Sequence, residues 1–155
     1  MDFLRQLEQL GISRWVRESG SVFAYPTVLF LHTLGLAMAA GVSLAVDVRI
    51  LGGGADLPLP PFRRFFPVLW AGFWINAVSG VILLCAAATT KLTNPVFYVK
   101  LAFIAAAVVL ARRISASLDD AGPPKWIAGA SLACWAGAIT AGRLLAYLGP
   151  QGPRH

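Results

Sequence analysis

Four long apolar stretches restrict the fold of this chain more than any other feature. Each is close to the roughly 20 residues that a helix needs to cross a bilayer at about 1.5 Å per residue. They run over residues 22–46, 65–88, 95–111 and 125–148. The connections are short and rich in Gly and Pro, so consecutive helices should lie antiparallel. The sequence predicts an all-α membrane protein, a single domain over residues 1–155 built as an antiparallel four-transmembrane-helix bundle.

The composition agrees with a membrane protein. The chain is 57% hydrophobic and 13% charged, whereas soluble domains are about 45–50% apolar and about 25% charged. A disordered chain, a disulfide scaffold and a coiled coil are excluded. Cys85 and Cys134 lie in apolar stretches with no metal or redox spacing, which favours inert packing. The net charge of +6 suits loops at anionic lipid head groups, and the chain lacks the soluble basic face that nucleic-acid binding requires.

Residues 1–20 precede the first stretch and have an amphipathic pattern. Phe3, Leu4, Leu7 and Leu10 recur at helical spacing, and Trp15 suits the level of the lipid head groups. We expect an N-terminal helix that lies in the interface plane. A docking surface for a partner protein is the alternative.

Polar residues mark the ends of the spans. Asn94 followed by Pro95 predicts a capped helix start for the third span. Asp47 and Arg49 end the first span. Since they are two residues apart and share no helical face, we expect them to contact neighbouring loops or lipid phosphate. No acidic residue is then left inside any span.

The distribution of cations suggests an orientation. Both termini lie on one side of the bundle, which we name side A, and the opposite side is side B. The side B cations flank the spans directly, in short loops where positive charge predicts a cytoplasmic location. They are Arg49, Arg63, Arg64, Arg112, Arg113 and Lys125. We therefore expect a multi-pass protein of the bacterial inner (plasma) membrane with both termini outside.

Polar side chains inside the spans gather in one half of the bundle. From helix rise, His32 lies about 15 Å from side A, Lys100 about 9 Å and Arg143 about 8 Å. Asn76 and Ser79 of the second span fall near the midplane and in the side A half. An ionisable residue at such depth predicts a functional site.

Small residues recur every three or four positions on the faces that carry these polar groups, which allows helices to approach closely. We expect the stripes to direct the polar groups into the bundle. They are His32, Gly35, Ala39 and Ser43 in the first span, Gly72, Asn76, Ser79 and Gly80 in the second, and Gly129, Ala133, Gly137 and Ala141 in the fourth.

A neutral imidazole beside two cations without a carboxylate suits a ligand with an apolar body and acidic ends. Haem b fits, with His32 as the metal ligand, Lys100 and Arg143 on the propionates, and Asn76 and Ser79 supporting them. One histidine gives either a five-coordinate haem or a His32 pair across a homodimer. The alternatives are lysine and arginine that extend to the head groups, a histidine that only bonds another helix, and a small organic anion or quinone. A non-catalytic accessory subunit of a larger membrane complex is also open.

Several motifs resemble known membrane proteins. Tyr25-Pro26, His32-x-x-Gly35, Asp47-x-Arg49 and Asn94-Pro95 with Lys100 are similar to a family of uncharacterised small bacterial four-span proteins, over residues 15–115. The first-span His and third-span Lys also resemble the HemJ-type protoporphyrinogen oxidases and the related CopD-like copper-resistance proteins. The HemJ resemblance implies haem binding, with functional roles for His32 and Lys100.

Overall fold

A computed structural model of the chain describes residues 24–54, 56–118 and 122–147. Within these ranges the protein is helical, with turns between the helices. The helices are α1 (Ala24–Leu51), a 3-10 helix (Pro60–Phe65), α2 (Phe66–Cys85), α3 (Ala88–Leu92), α4 (Pro95–Ser117) and α5 (Lys125–Tyr147). The predicted interfacial helix over residues 1–20 lies outside the described residues.

Four segments of the described ranges are long and apolar enough to cross a membrane. They are Tyr25–Leu51, Pro60–Cys85, Pro95–Ser117 and Lys125–Leu145. Large apolar side chains remain exposed along them, including Phe30, Trp74 and Trp126 at more than 60% exposure, as expected of surfaces that lipid covers. The predicted four-helix membrane bundle is confirmed.

Local signals explain where two of the long helices begin and end. The Asn94 side-chain oxygen accepts a hydrogen bond from the backbone N–H of Val96 at 3.0 Å, and a proline follows the cap. The predicted start of α4 is therefore confirmed. α1 continues past residue 46 to Leu51, and Gly52, with a φ of 115°, ends it in the left-handed region that favours glycine.

The helices pack in the order α2, α1, α5, α4. α1 packs along α2 and α5, and α4 packs along α5. Near its start α1 contacts the end of α2, where His32 meets Ser79. Near its end α1 contacts the start of α5, where Ser43 meets Ser131. Neighbouring helices are therefore antiparallel, and α1 and α5 occupy the centre of the bundle.

Two glycines bring α1 and α2 into backbone contact. A Cβ atom added to Gly35 would lie 2.6 Å from the carbonyl oxygen of Gly72 and 2.6 Å from the backbone nitrogen of Asn76. A Cβ added to Gly72 would lie 2.6 Å from the Cβ of Met38. The predicted close approach of the two small-residue stripes is confirmed.

The interior face of α5 differs from the predicted stripe. Gly137 packs against the Phe103 ring, since an added Cβ would lie 2.8 Å from it. Ala133 is exposed, and a Cβ added to Gly129 would have nothing within 4 Å. The expectation for Gly129 and Ala133 is wrong, because the first turns of α5 bury Ala128, Ser131 and Trp135 in their place.

The side B half of the bundle is packed by side chains from all four long helices. Its buried cluster comprises Val46, Ile50, Phe66, Leu69, Ala111, Ile114, Leu118, Ile127 and Ala128. Asp47 lies in the same half and is 0% exposed. The expectation that Asp47 contacts loops or lipid is wrong, because α1 does not end at residue 46 and carries this carboxyl into the bundle.

Candidate functional site

A cleft of about 780 Å³ lies between α1, α5 and α4 and extends from the side A half of the bundle past its middle. Apolar side chains form most of its wall, among them Leu29, Leu36, Leu44, Ile104, Leu132 and Ile139. The volume lies in the range of small-molecule and cofactor sites. His32, Asn76, Lys100 and Arg143 also line it, so four of the five residues singled out from the sequence surround one space.

Ser79, the fifth of these residues, does not line the cleft but contacts His32, which does. The His32 Nδ1 atom lies 3.0 Å from the backbone oxygen of Asn76 and 3.2 Å from the hydroxyl of Ser79. A carbonyl oxygen can only accept, so Nδ1 carries the proton and donates it. In the neutral ring Nε2 then keeps its lone pair.

The side chain of Asn76 supports the same arrangement. Its Nδ2 donates to the backbone oxygen of His32 at 2.7 Å and lies 3.4 Å from His32 Nε2, at the long end of hydrogen-bond range. Gly80 leaves room for the ring, since a Cβ there would lie 3.1 Å from His32 Cε1. α2 thus fixes the tautomer of His32 through Nδ1 and leaves Nε2 as the basic nitrogen of this cleft-lining ring.

The two predicted cations take different positions at the cleft. Lys100 is partly buried, and its side chain lies along α5 at Gly142, where an added Cβ would be 3.7 Å from the lysine Cε. Arg143 is exposed at the edge of the cleft. Arg143 therefore reaches the cleft as expected, but from its solvent- or lipid-accessible edge and not from the enclosed interior. Among the described residues that line the cleft there is no Asp or Glu.

Lys91 is a second partly buried cation in this half of the bundle, and the sequence did not single it out. It lies on α3, between the end of α2 and the start of α4, and its Nζ donates to the backbone oxygen of Leu83 at 3.1 Å. Burial lowers the pKa of Lys91 from 10.5, and the positive charge of Lys100 lowers it further. The feature of the sequence that could have pointed to Lys91 is its position in the short segment between two spans, next to apolar Leu92.

The lowered pKa of Lys91 leads to a prediction for stability. Because the unfolded chain holds this proton more tightly, the cost of the buried charge is fully present at neutral pH. That cost falls as pH rises towards 10.5. Lys91→Gln, which keeps an N–H donor for Leu83, should melt at a higher temperature than the wild type at neutral pH. The difference in melting temperature between the variant and the wild type should shrink as the pH is raised. Thermal unfolding in detergent measures this, with Lys125→Gln at an exposed position as the charge control; a gap that widens with pH would contradict it.

Metal chelation by several side chains finds no support in the described part of the chain. No group of three or more His, Cys, Asp or Glu side chains comes together there. Cys85 and Cys134 are free thiols on different helices. His32 is thus a single nitrogen donor, which suits a metal already held by a macrocycle and does not suit a bare ion.

Comparison with known proteins adds no relative. No family model matches the chain, and no characterised protein or solved structure is significantly similar to it. The function therefore has to be argued from the geometry of the cleft.

Proposed function

We propose that the cleft binds a tetrapyrrole, haem b, whose iron would be held by Nε2 of His32. The observation that carries this proposal is the hydrogen bond of His32 Nδ1 to the backbone oxygen of Asn76. A ligating histidine commonly donates its other ring N–H to a carbonyl or carboxylate, which fixes the ring and raises its basicity. The Asn76 carbonyl and the Ser79 hydroxyl would hold His32 in this way.

The cleft residues fit the remaining parts of the group. An apolar macrocycle suits the wall of the cleft, which α1 forms between Leu29 and Leu44 and α5 completes. Lys100 at the cleft and Arg143 at its edge would meet two propionates, and no described acidic residue of the lining competes for them. The lining offers one imidazole, so one chain would hold the iron through His32 alone, or two chains of a homodimer would each supply a His32. Bound haem supplies a one-electron redox centre, which makes electron transfer the role we propose.

The visible absorption spectrum of the purified protein tests this proposal. The protein is produced in haem-replete cells and extracted in mild detergent. We expect a haem band in the wild type, loss of that band in His32→Ala, and its retention in Thr33→Val, a neighbouring residue of the same cleft. A wild type without haem would overturn the proposal, as would a band that persists in His32→Ala.

A second candidate is favoured by the single imidazole of the lining. The same cations and apolar wall suit a small organic anion or a quinone, with no metal involved. In that case His32 Nε2 would accept a hydrogen bond from the ligand or approach it as a base. A wild type that lacks haem but binds a water-soluble quinone analogue, and loses that binding in His32→Ala, would favour this candidate.

We also infer that the protein lies in a bacterial cytoplasmic membrane with side B in the cytoplasm. In the described ranges the exposed cations of side B surround the ends of the spans, namely Arg63, Arg64, Arg112, Arg113 and Lys125. Lys91 and Lys100 in the side A half are partly buried, so they do not act as head-group cations. This difference supports side B as the positive, inner side.

A further inference from the structure

Among the residues that the structure describes, one acid is fully buried, and it lies outside the cleft. Asp47 is 0% exposed, and its Oδ2 accepts a hydrogen bond from the hydroxyl of Ser43 at 3.3 Å. The hydroxyl of Ser131 on α5 lies 3.2 Å from that of Ser43, so Ser131 reaches the carboxyl through Ser43. Oδ1 has no hydrogen-bond partner. Two hydroxyls and a carboxyl thus form a closed polar group at the contact of α1 with α5.

No positive charge compensates this carboxyl within the described part of the chain. α2 and α4 face the same half of the bundle with apolar side chains such as Phe66 and Leu118. Cations of the packed elements have other contacts or are exposed: Arg112 lies over the Trp70 ring at 5.3 Å, Lys125 is exposed, and Arg49 donates to the backbone oxygen of Leu57. An ionised carboxylate enclosed in this way would be strongly disfavoured, whereas the neutral acid is tolerated.

The polar atoms near Asp47 continue in one direction only. Ser43 and Ser131 lie on the side of the carboxyl that faces the cleft. One turn further along α5 lies Trp135, whose buried Nε1 has no hydrogen-bond partner and whose ring lines the cleft. Towards side B the carboxyl is closed off by the apolar cluster that includes Ile50 and Phe66. The hydrogen bonds of Asp47 therefore lead to Ser43 and from there to Ser131, which is adjacent in sequence to Leu132 in the wall of the cleft.

We propose that Asp47 is a proton-binding site inside the membrane and exchanges its proton with the cleft through the hydroxyls of Ser43 and Ser131. On uptake, an O–H bond forms at Asp47 Oδ2 as the O–H bond of Ser43 breaks. Ser43 takes the hydroxyl proton of Ser131, and Ser131 takes a proton from a hydronium ion that reaches it from the neighbouring cleft, which leaves water. Asp47 gains one proton, and both hydroxyls are restored. The site stands on its own geometry and does not require haem in the cleft.

Infrared spectroscopy of the protein in lipid nanodiscs tests the proton site. The C=O stretching band of a protonated carboxylic acid should be present at neutral pH, absent in Asp47→Asn, and unchanged in Asp56→Asn, a control at an exposed acid. Asp47→Glu should retain a shifted band, which guards against a variant that fails to fold. A neutral-pH spectrum without the band, or a band that persists in Asp47→Asn, would overturn the proposal. So would loss of the band on adding sodium chloride at constant pH, because the site would then hold a cation.

Deuterium exchange tests the route. After transfer to D₂O, the band should shift as the acid proton is replaced. We expect the shift to be about tenfold slower in Ser43→Ala/Ser131→Ala, the rate equivalent of one lost hydrogen bond. Equal rates in the variant and the wild type would exclude the two hydroxyls as the path.

Discussion

Replacing Gly35 with alanine is expected to destabilise the bundle by about 3 kcal/mol, the upper end of the usual cost of overpacking. The added methyl would lie 2.6 Å from both the Gly72 oxygen and the Asn76 nitrogen. These are backbone atoms of a neighbouring helix, so no side-chain rotation relieves the clash. α1 and α2 would have to separate, and the hydrogen bonds between His32 and Asn76 would lengthen with them.

Gly41 offers a matched control in the same helix. A Cβ added there has nothing within 4 Å, so Gly41→Ala should be neutral or stabilise α1 by up to about 1 kcal/mol through helix propensity. Unfolding by sodium dodecyl sulfate in mixed micelles, followed by circular dichroism, compares both variants with the wild type. Equal stability of Gly35→Ala and Gly41→Ala would show that the α1–α2 contact does not hold the bundle together.

The α1–α2 contact is the part of the site that the sequence predicts best. Small residues every three or four positions on both spans require a close approach, and that approach brings His32 to Asn76 and Ser79. The spans themselves follow from the length of the apolar stretches, and the start of α4 follows from Asn94 and Pro95. These features are local, so each is visible in one short stretch of sequence.

The residues that the sequence misplaces depend on contacts between distant segments. In the sequence Asp47 has the position of a polar residue that ends a span. In the structure it is buried, and its partner Ser43 contacts Ser131, which lies far along the chain on α5. Arg143 lies at a depth that suits the interior, but the rotation of α5 against α1 and α4 decides that its side chain is exposed. Lys91 becomes notable only because α3 places it within electrostatic range of Lys100. Helix rotation and burial of single polar groups are set by tertiary packing, which periodicity does not encode.

Removing the charge of Lys100 should weaken binding of an anionic ligand in the cleft by about tenfold to hundredfold. A hydrogen bond to a charged group contributes about 1.5–3 kcal/mol when it is partly shielded from water. Lys100 is partly buried and lies against Gly142, so solvent screens it less than an exposed residue. Arg143 is exposed, and a screened surface charge contributes at most about 1 kcal/mol. Arg143→Gln should therefore reduce affinity by no more than about fivefold.

Titration of haem into protein prepared without it, in nanodiscs, measures both effects by absorbance. Lys100→Gln should lose more affinity for haem than Arg143→Gln does. Lys100→Arg should retain most of the affinity because it keeps the cation. The haem band that depends on His32 should persist in all three variants, since neither Lys100 nor Arg143 contacts the ring nitrogens of His32. If Lys100→Gln bound haem as tightly as the wild type, the lysine would serve only the membrane interface. The partly buried cation at the cleft would then have no role in ligand binding.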